Sequence, residues 1–597
     1  MVRLISAIVA FFAAAALLIV GFTFKFFSGP ADFTLPVPVS SSARYAVISP
    51  EVLRLHPGGE VVSASGASLN TVAFGSTSDV LSWLGGSAYV QITLNPVTHK
   101  LETSDVSPQT SAAEAPTAAA AQDTEIVSPA GSDMWLGEST VRSEVASLAL
   151  EIGMDESVIV ASDGKSELPT DIMVSWPKPK QRFLGMTDDT LFIVGGVVLL
   201  VGIGLYIWSL GFLRGGRGPR RRGRLPRGPR PNARLGRNQS AVRGPSSGRR
   251  ALGRSSVAVA GIVGVVALGL SGCTQYNDGL SKPTPTPTSS DLPVNEGPRA
   301  VVTEEQVGVI LGKIQSVIKE ADAKNDNDVI RTRFSGPALD ARLARYAMRK
   351  TNAKISSLPG FRANTVQLLL PQATELWPRS VLAVVKSNSA ATKSDPAPSM
   401  VVSLTQDSPR TNYKVTYLTN LQPKQRTPEV SSAQVGTPLV ALDTTLLTVS
   451  PNLLAATYAD VLNKGTKSKF YSLFDQQTDQ LRPTLVTERA QQKGNKNVGV
   501  KFRDYATGAQ PVAYATMDAG AIVATQFTEV GTYTPLNNLD LKLAGELTAL
   551  SGIQITQHAT MASYGFQVLF YVPPVGSNKP IQLLAFTENL IGVTFAK

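Results

Sequence analysis

The sequence predicts a multidomain membrane protein: an external β-sandwich-like module on the N-terminal side, then a C-terminal α+β region of two tandem units. Three observations predict it. Apolar runs recur at Leu4 to Phe24, Leu191 to Leu213 and Ser255 to Gly272. An arginine-rich stretch lies between the second and third runs. Outside them, short alternating runs fill the region before residue 187, whereas after residue 300 helical spacing gives way to alternation twice.

Composition narrows the chemistry. The chain has 597 residues, is 43% hydrophobic and can bury several cores. Its one cysteine cannot form an intramolecular disulfide or a thiolate zinc site. His56, His99 and His558 lie far apart and carry no ligand spacing, so neither a metal nor a cofactor is expected. The net charge of +11 is not an average property. Arg214 to Arg254 contains fourteen arginines, no lysine and no acid, and without it the rest of the chain carries about −3.

The first run, about 21 residues, can cross a hydrocarbon core of ~30 Å. Arg3 precedes it, and the bulky end Gly21-Phe22-Thr23-Phe24-Lys25-Phe26-Phe27 offers no small-residue cleavage site. Residues 1–29 are therefore expected to be an uncleaved signal anchor with a cytoplasmic N-terminus, a cleaved signal peptide being the alternative. The second span, residues 191–213, carries Tyr206 and Trp208 toward the end at which the arginines begin. Positive charge marks the cytoplasmic side, so this span returns the chain inward and leaves residues 30–187 outside. Residues 255–273, which hold an apolar run about 18 residues long, suit either a third span or the h-region of a lipoprotein signal. In both cases residues 274–597 also lie outside. The expected location is a bacterial plasma membrane with both large folded parts extracytoplasmic.

The cytoplasmic loop 214–254 is Arg, Gly and Pro with almost no bulky apolar residue, and is expected to be disordered. Arg214, Arg217, Arg220, Arg221, Arg222, Arg224, Arg227 and Arg230 are expected to lie on anionic lipid, at ~1 kcal/mol each. Nucleic acid is the less favoured partner, because no aromatic residue between the arginines offers base stacking.

In the external module, strands are expected at Ala43–Ile48, Glu60–Val62, Asn70–Phe74, Tyr89–Leu94, Ser157–Ala161 and Asp171–Trp176. Residues 103–131, mostly Ala, Ser, Thr, Pro and Gln, are expected to form a disordered loop. Trp83, Trp135 and Trp176 are assigned to packing rather than to a ligand platform.

Residues 274–300 form a Pro/Thr linker, an extended tether. The first α+β unit, 301–445, opens with Thr303-Glu304-Glu305-Gln306, which has capping-box spacing. Val307, Ile310, Leu311, Ile314 and Ile318 follow as one apolar stripe, and a second helix follows Gly336-Pro337. Strands are expected around Val366–Leu370, Val381–Val385, Met400–Leu404 and Tyr413–Tyr417. The second unit, 446–597, repeats the plan with a helix from Ser450-Pro451 and a helical stretch over Phe470–Arg489 that Pro483 should interrupt. Its strands are expected at 498–502, 512–517, 521–527, 566–572 and 581–586. Helices followed by a curved antiparallel sheet, twice over, resemble tandem cones of the nuclear transport factor 2-like type. Cones of that type can hold small ligands in their mouths.

No Walker A sequence or HExxH is present. Asp326-Asn327-Asp328 matches DxD formally but follows a helix end, and Gly202-Ile203-Gly204 falls within an apolar run as packing glycine. Asp188-Asp189 is an ordinary cap before the second span. Arg342, Arg345, Arg349 and Lys350 make one helix side basic and are assigned to a solvated face. No catalytic residue is assigned.

Leu270-Ser271-Gly272-Cys273, after a basic stretch and an apolar run, resembles a bacterial lipobox. That resemblance implies acylation of the Cys273 thiol and cleavage before it. The whole plan, with Arg44-Tyr45-Ala46-Val47-Ile48, Leu55-His56-Pro57-Gly58-Gly59 and Ser408-Pro409-Arg410-Thr411-Asn412-Tyr413, resembles uncharacterised membrane-anchored envelope proteins and lipoproteins of high-GC Gram-positive bacteria. The resemblance implies a non-catalytic envelope protein whose external domains bind or scaffold envelope-protein partners. Some such proteins carry a glycosyltransferase label, so the alternatives are an extracytoplasmic glycan-acting enzyme and a lipid or small-molecule carrier with a cone cavity.

Overall fold

The computed structural model describes residues 2–27, 32–37, 43–56, 58–95, 97–98, 100–107, 127–177, 188–214, 298–389, 397–423, 428–494 and 496–596. Contacts divide the chain into two compact units, residues 1–27 with 182–296 and residues 28–181 with 297–597.

The first unit holds two apolar helices, Val2–Phe27 and Asp188–Arg214. Both contain a stretch long and apolar enough to cross a membrane. They carry exposed Phe12, Ile19, Ile193, Leu200 and Ile207, side chains that a helix facing water rarely presents in such density. The helices pack antiparallel through small residues. A methyl group added at Gly21 would stand 3.4 Å from Leu191, one at Gly195 3.0 Å from Leu18, and one at Gly202 3.4 Å from Ala10. Close backbone approach of this kind is how helices associate in lipid, where apolar side chains gain nothing from leaving water. Gly204, by contrast, meets nothing within 4 Å. The register brings the Arg3 end of one helix beside the Arg214 end of the other.

The second unit begins with two sheets that bury one core between them. The four-stranded sheet runs Asp32–Pro36, Asp171–Pro177, Glu60–Ser65, Ala146–Leu150. The six-stranded sheet runs Leu101–Val106, Tyr89–Leu94, Tyr45–Ile48, Glu156–Ala161, Leu69–Ser76, Gly137–Arg142. Val62, Ile172, Val174 and Trp176 of the first face Ile48, Val72, Ile92 and Val160 of the second. The outer face of the six-stranded sheet is covered too. Val80, Trp83 and Leu84 of the helix Thr77–Leu84, with Met134 and Trp135, pack on Tyr45, Val47, Ala73 and Ile159. Burial on both faces explains why Val158-Ile159-Val160-Ala161 is uninterruptedly apolar rather than alternating.

The loop expected over 103–131 is shorter than its composition suggested. Leu101–Val106 pairs in full register with Tyr89–Leu94, and Val127–Leu136 is packed, its carbonyl at Val127 accepting from the Tyr45 hydroxyl at 2.8 Å. The rest of that expected loop lies outside the described residues. The tryptophans are core residues: the Trp176 indole donates to the Leu53 carbonyl at 2.8 Å and that of Trp135 to Pro129 at 2.7 Å.

From residue 298 onward the protein is α+β. Thr303 and Gln306 form the capping box of the helix Glu304–Lys324, whose Val307, Ile310, Leu311, Ile314 and Ile318 are buried against the first half of the sheet. The helix Gly336–Thr351 follows. Its basic side is not a solvated face. The Arg342 guanidinium is buried on Asp322 at 3.0 Å, Arg345 pairs with Glu546 at 2.6 Å, and Arg349 donates to the Asp322 carbonyl at 2.7 Å. In the second half the helix Pro451–Lys464 packs on the sheet, and a short 3-10 turn at Tyr471–Leu473 precedes the helix Leu481–Lys493. Pro483 does not interrupt that helix. It falls in the first turn, where a missing N–H costs nothing because no intrahelical acceptor is available.

The two halves share a single ten-stranded antiparallel sheet. Its path is Phe361–Arg362, Arg379–Ser387, Ser399–Gln406, Lys414–Leu421, Gln582–Phe595, Thr560–Val572, Ala521–Pro535, Val498–Ala506. Leu368–Pro371 and Val512–Ala515 pair off this path. The halves meet where Asn420 and Leu421 pair with Phe586 and Ala585. A core common to both lies behind the seam, formed by Leu382, Val401 and Tyr417 of the first half with Tyr514, Ile522, Leu569 and Leu584 of the second. Gln567 ties the halves again, accepting from the Leu418 N–H at 2.8 Å.

Candidate functional site

A set of buried charged groups lies where the β module meets the α+β region. The module contributes Val127–Leu136 and the helix Thr77–Leu84. Gly131, with φ of 78°, turns the first of these so that Asp133 leaves the module while Trp135 stays inside it, its ring 5.6 Å from Trp83.

Asp133 is surrounded by residues remote in sequence. Its carboxylate is fully buried and takes both terminal nitrogens of Arg333, Nη1 on Oδ2 and Nη2 on Oδ1 at 3.2 Å. The Tyr413 N–H donates to Oδ2 at 3.0 Å, and Lys313 Nζ stands 3.4 Å from Oδ1. The backbone is engaged as well: the Asp133 N–H donates to Asn412 Oδ1 at 3.0 Å, and its carbonyl accepts from Gln306 Nε2 at 2.8 Å. A carboxylate removed from water needs such a full set of donors, since desolvation alone would cost several kcal/mol.

The helix Thr77–Leu84 is held at both ends. At its first turn Asp79 pairs with Arg379 at 2.8 Å, and the same guanidinium lies 3.7 Å from the Trp377 ring centre. At its last turn Arg410 donates to the Trp83 and Leu84 carbonyls, both at 2.8 Å, and to Ser87 Oγ at 2.7 Å. A cation on the last carbonyls and an acid in the first turn both complement the helix dipole. Arg410, Asn412 and Tyr413 all belong to the Ser408–Tyr413 segment singled out in the sequence. The rim is wetter: Arg299 meets Asp155 at 3.3 Å with both side chains at least half exposed. A cavity of about 150 Å³ beside it is lined by Asp79, Glu156, Arg299, Thr303, Glu375 and Arg379.

A second charged cluster lies within the second half of the α+β region. Arg489 reaches both oxygens of Asp504 at 2.7 Å and, through Nε, Glu529 at 2.6 Å. Burial works against the guanidinium, but the two carboxylates outweigh it and hold its pKa above the usual range. Glu588, on the next strand but one from Glu529, is open to solvent yet closely flanked by protein. Burial first, then the charges of Glu488, Glu529 and Glu546, push its carboxyl up to about 7. Asp504 and Glu529 are thus members of an ion cluster that pins the helix Leu481–Lys493 to the sheet. Beneath it, the space between helices and strands is filled by Tyr458, Phe474, Phe527, Phe566 and Phe570.

The residues favoured from sequence fare differently. Cys273, Arg217, Arg220, Arg221, Arg222, Arg224, Arg227 and Arg230 lie outside the described residues, as does His99; Arg214 ends the second apolar helix. Asp326 is a helix N-cap, its carboxylate accepting from the N–H groups of Asp328 and Val329. His56 stacks on Phe33 with ring centres 4.6 Å apart, and His558 is exposed elsewhere. Among the described residues no group of three or more His, Cys, Asp or Glu is placed to hold a metal ion. Sequence reading missed Asp133, Arg333, Asp79 and Arg379, because no periodicity or motif links positions 200 residues apart.

Residues 298–594 match the model of a family described as a domain of unknown function, DUF8094. That span holds Arg333, Arg379 and Arg410 and excludes the β module. No curated protein and no solved structure matches the chain.

Proposed function

We propose that this is a cell-envelope membrane protein and lipoprotein whose external domains form one non-catalytic body that binds or scaffolds envelope partners. One observation carries the reading: the Asp133–Arg333 junction joins residues 28–181 to residues 297–597. Parts that touch through buried side chains lie on the same side of a membrane. Between them runs the apolar helix Asp188–Arg214, which takes the chain across once. An even number of crossings is then needed, and Ser255 to Gly272 is the apolar run available for the return. The fourteen arginines between the two runs favour the cytoplasmic side for that loop, against anionic lipid, and the periplasmic or outer face for both folded parts. The pairing of the Arg3 and Arg214 ends supports an anchor retained beside the second span.

On this reading the Cys273 thiol receives the lipid, and the two α+β halves are fused nuclear transport factor 2-like cones. The aromatic filling of the second half counts against a carrier with a deep cavity there. The ion-paired state of Asp504 and Glu529 counts against a free carboxylate pair for glycan chemistry at that place.

Topology is tested with single cysteines in the Cys273→Ala background, probed on intact cells with a membrane-impermeant maleimide. Val97→Cys and Thr594→Cys should label, and Ser246→Cys only after lysis. Labelling at just one of the first two sinks the reading. Fatty-acid labelling of wild type but not of Cys273→Ala tests the lipid.

A further inference from the structure

We propose that residues 32–177 are a separable protein subunit docked on the 298–594 domain, and that this surface recognises its partner without help from the connecting chain. Two independent observations carry this. The first is the make-up of the junction. Its buried contacts come from Arg333, Arg379 and Arg410, with the Trp377 ring against Arg379 and the Trp83 ring beside Arg410. Arginine and tryptophan anchors with charge pairs set inside a polar rim characterise surfaces between proteins; the interior of a single domain is built from apolar side chains. The second is the extent of the family match, which starts at residue 298, includes the whole arginine side of the junction and leaves the module out. The domain is thus a unit in its own right, and its three arginines are a ready-made receptor.

The chemistry of the partner follows. Arg333 with Lys313 takes a carboxylate on a turn whose backbone N–H and carbonyl are read by Asn412 and Gln306. Arg410 takes the Trp83 and Leu84 carbonyls at the end of a short helix, and Arg379 takes an acid in that helix's first turn. The partner is therefore a β module presenting an acidic turn beside an eight-residue helix. Where the domain occurs without a module in the same chain, it binds such a module as a second protein.

The experiment uses the full-length protein in detergent, carrying Cys273→Ala so that the chain is not cut at the lipobox, with a protease site placed in the Pro/Thr run Lys282 to Ser290. After cutting, the two pieces should stay together on size exclusion at micromolar protein. Arg410→Ala should weaken their association tenfold or more, read by dilution, while the uncut variant keeps its circular dichroism. Asp133→Arg should separate the pieces, and Asp133→Arg with Arg333→Asp should rejoin them. Wild-type pieces that part on cutting overturn the proposal. So do pieces that stay together in both single variants, because the association would then use another surface. The outcome does not depend on membrane sidedness, which the maleimide experiment reads separately.

Discussion

Two boundaries inside the same unit are built on opposite principles. At the seam between the α+β halves, the backbone pairs directly, Asn420 with Phe586, and Leu382, Tyr417, Tyr514 and Leu584 bury a common apolar core. At the junction between the β module and that region no strand pairs across among the described residues, and the contacts come from arginines reaching carboxylates and carbonyls. Apolar burial is non-directional and grows with area, so halves joined that way share one stability. A buried ion pair is nearly neutral in net stability but heavily penalised when one partner is lost, so it selects a particular mate. The seam makes one domain from two halves; the junction lets two domains recognise each other.

The largest expected effect breaks the junction. Asp133→Ala leaves the Arg333 guanidinium buried without its carboxylate and should cost about 3–5 kcal/mol. The module should then melt separately from the rest in calorimetry, whereas the wild type should show the two transitions together. Leu584→Ala, at the seam, should cost about 2–5 kcal/mol, but here both α+β halves should lose stability as one transition. Two separate transitions for the halves in that variant would erase the contrast.

Smaller effects sharpen it. The folded-state pKa of Glu588 lies above the ordinary value of an unfolded glutamate, about 4.3. Its contribution to stability is therefore full at acid pH and is lost as pH rises toward 7. Glu588→Gln removes that loss, so it should raise the melting temperature at pH 8 and not at pH 5. Solvent at Glu588 limits the gain to about 2 °C. Arg299→Ala, at the exposed rim, should change stability by only ~0–1 kcal/mol, measured by urea denaturation.

How legible these features were depends on how local their causes are. The capping box at Thr303, the stripe from Val307 to Ile318 and the apolar helices arise from neighbours within a few residues, and the sequence displays them. The seam depends on a strand at 414–421 meeting one at 582–595, and alternation says nothing about which strand is adjacent. The basic helix side at Arg342 and Arg345 was read as solvated because Asp322 and Glu546 are 20 and 201 positions away. The helix Thr77–Leu84 was missed for its length: eight residues give barely two turns of periodicity. Residues 127–131 looked like part of a low-complexity insertion, though two positions later the chain carries the most enclosed carboxylate of the junction.

The 200-residue separation between Asp133 and Arg333 also sets a clock. At synthesis rates of roughly 5–20 residues per second, Arg333 emerges about 10–40 s after Asp133. Microsecond to millisecond events such as sheet formation are long finished by then, so the module waits with its acidic turn hydrated. Closing the junction is consequently a docking between a finished part and a newborn one, and it strips water from the charges only when the matching arginine arrives.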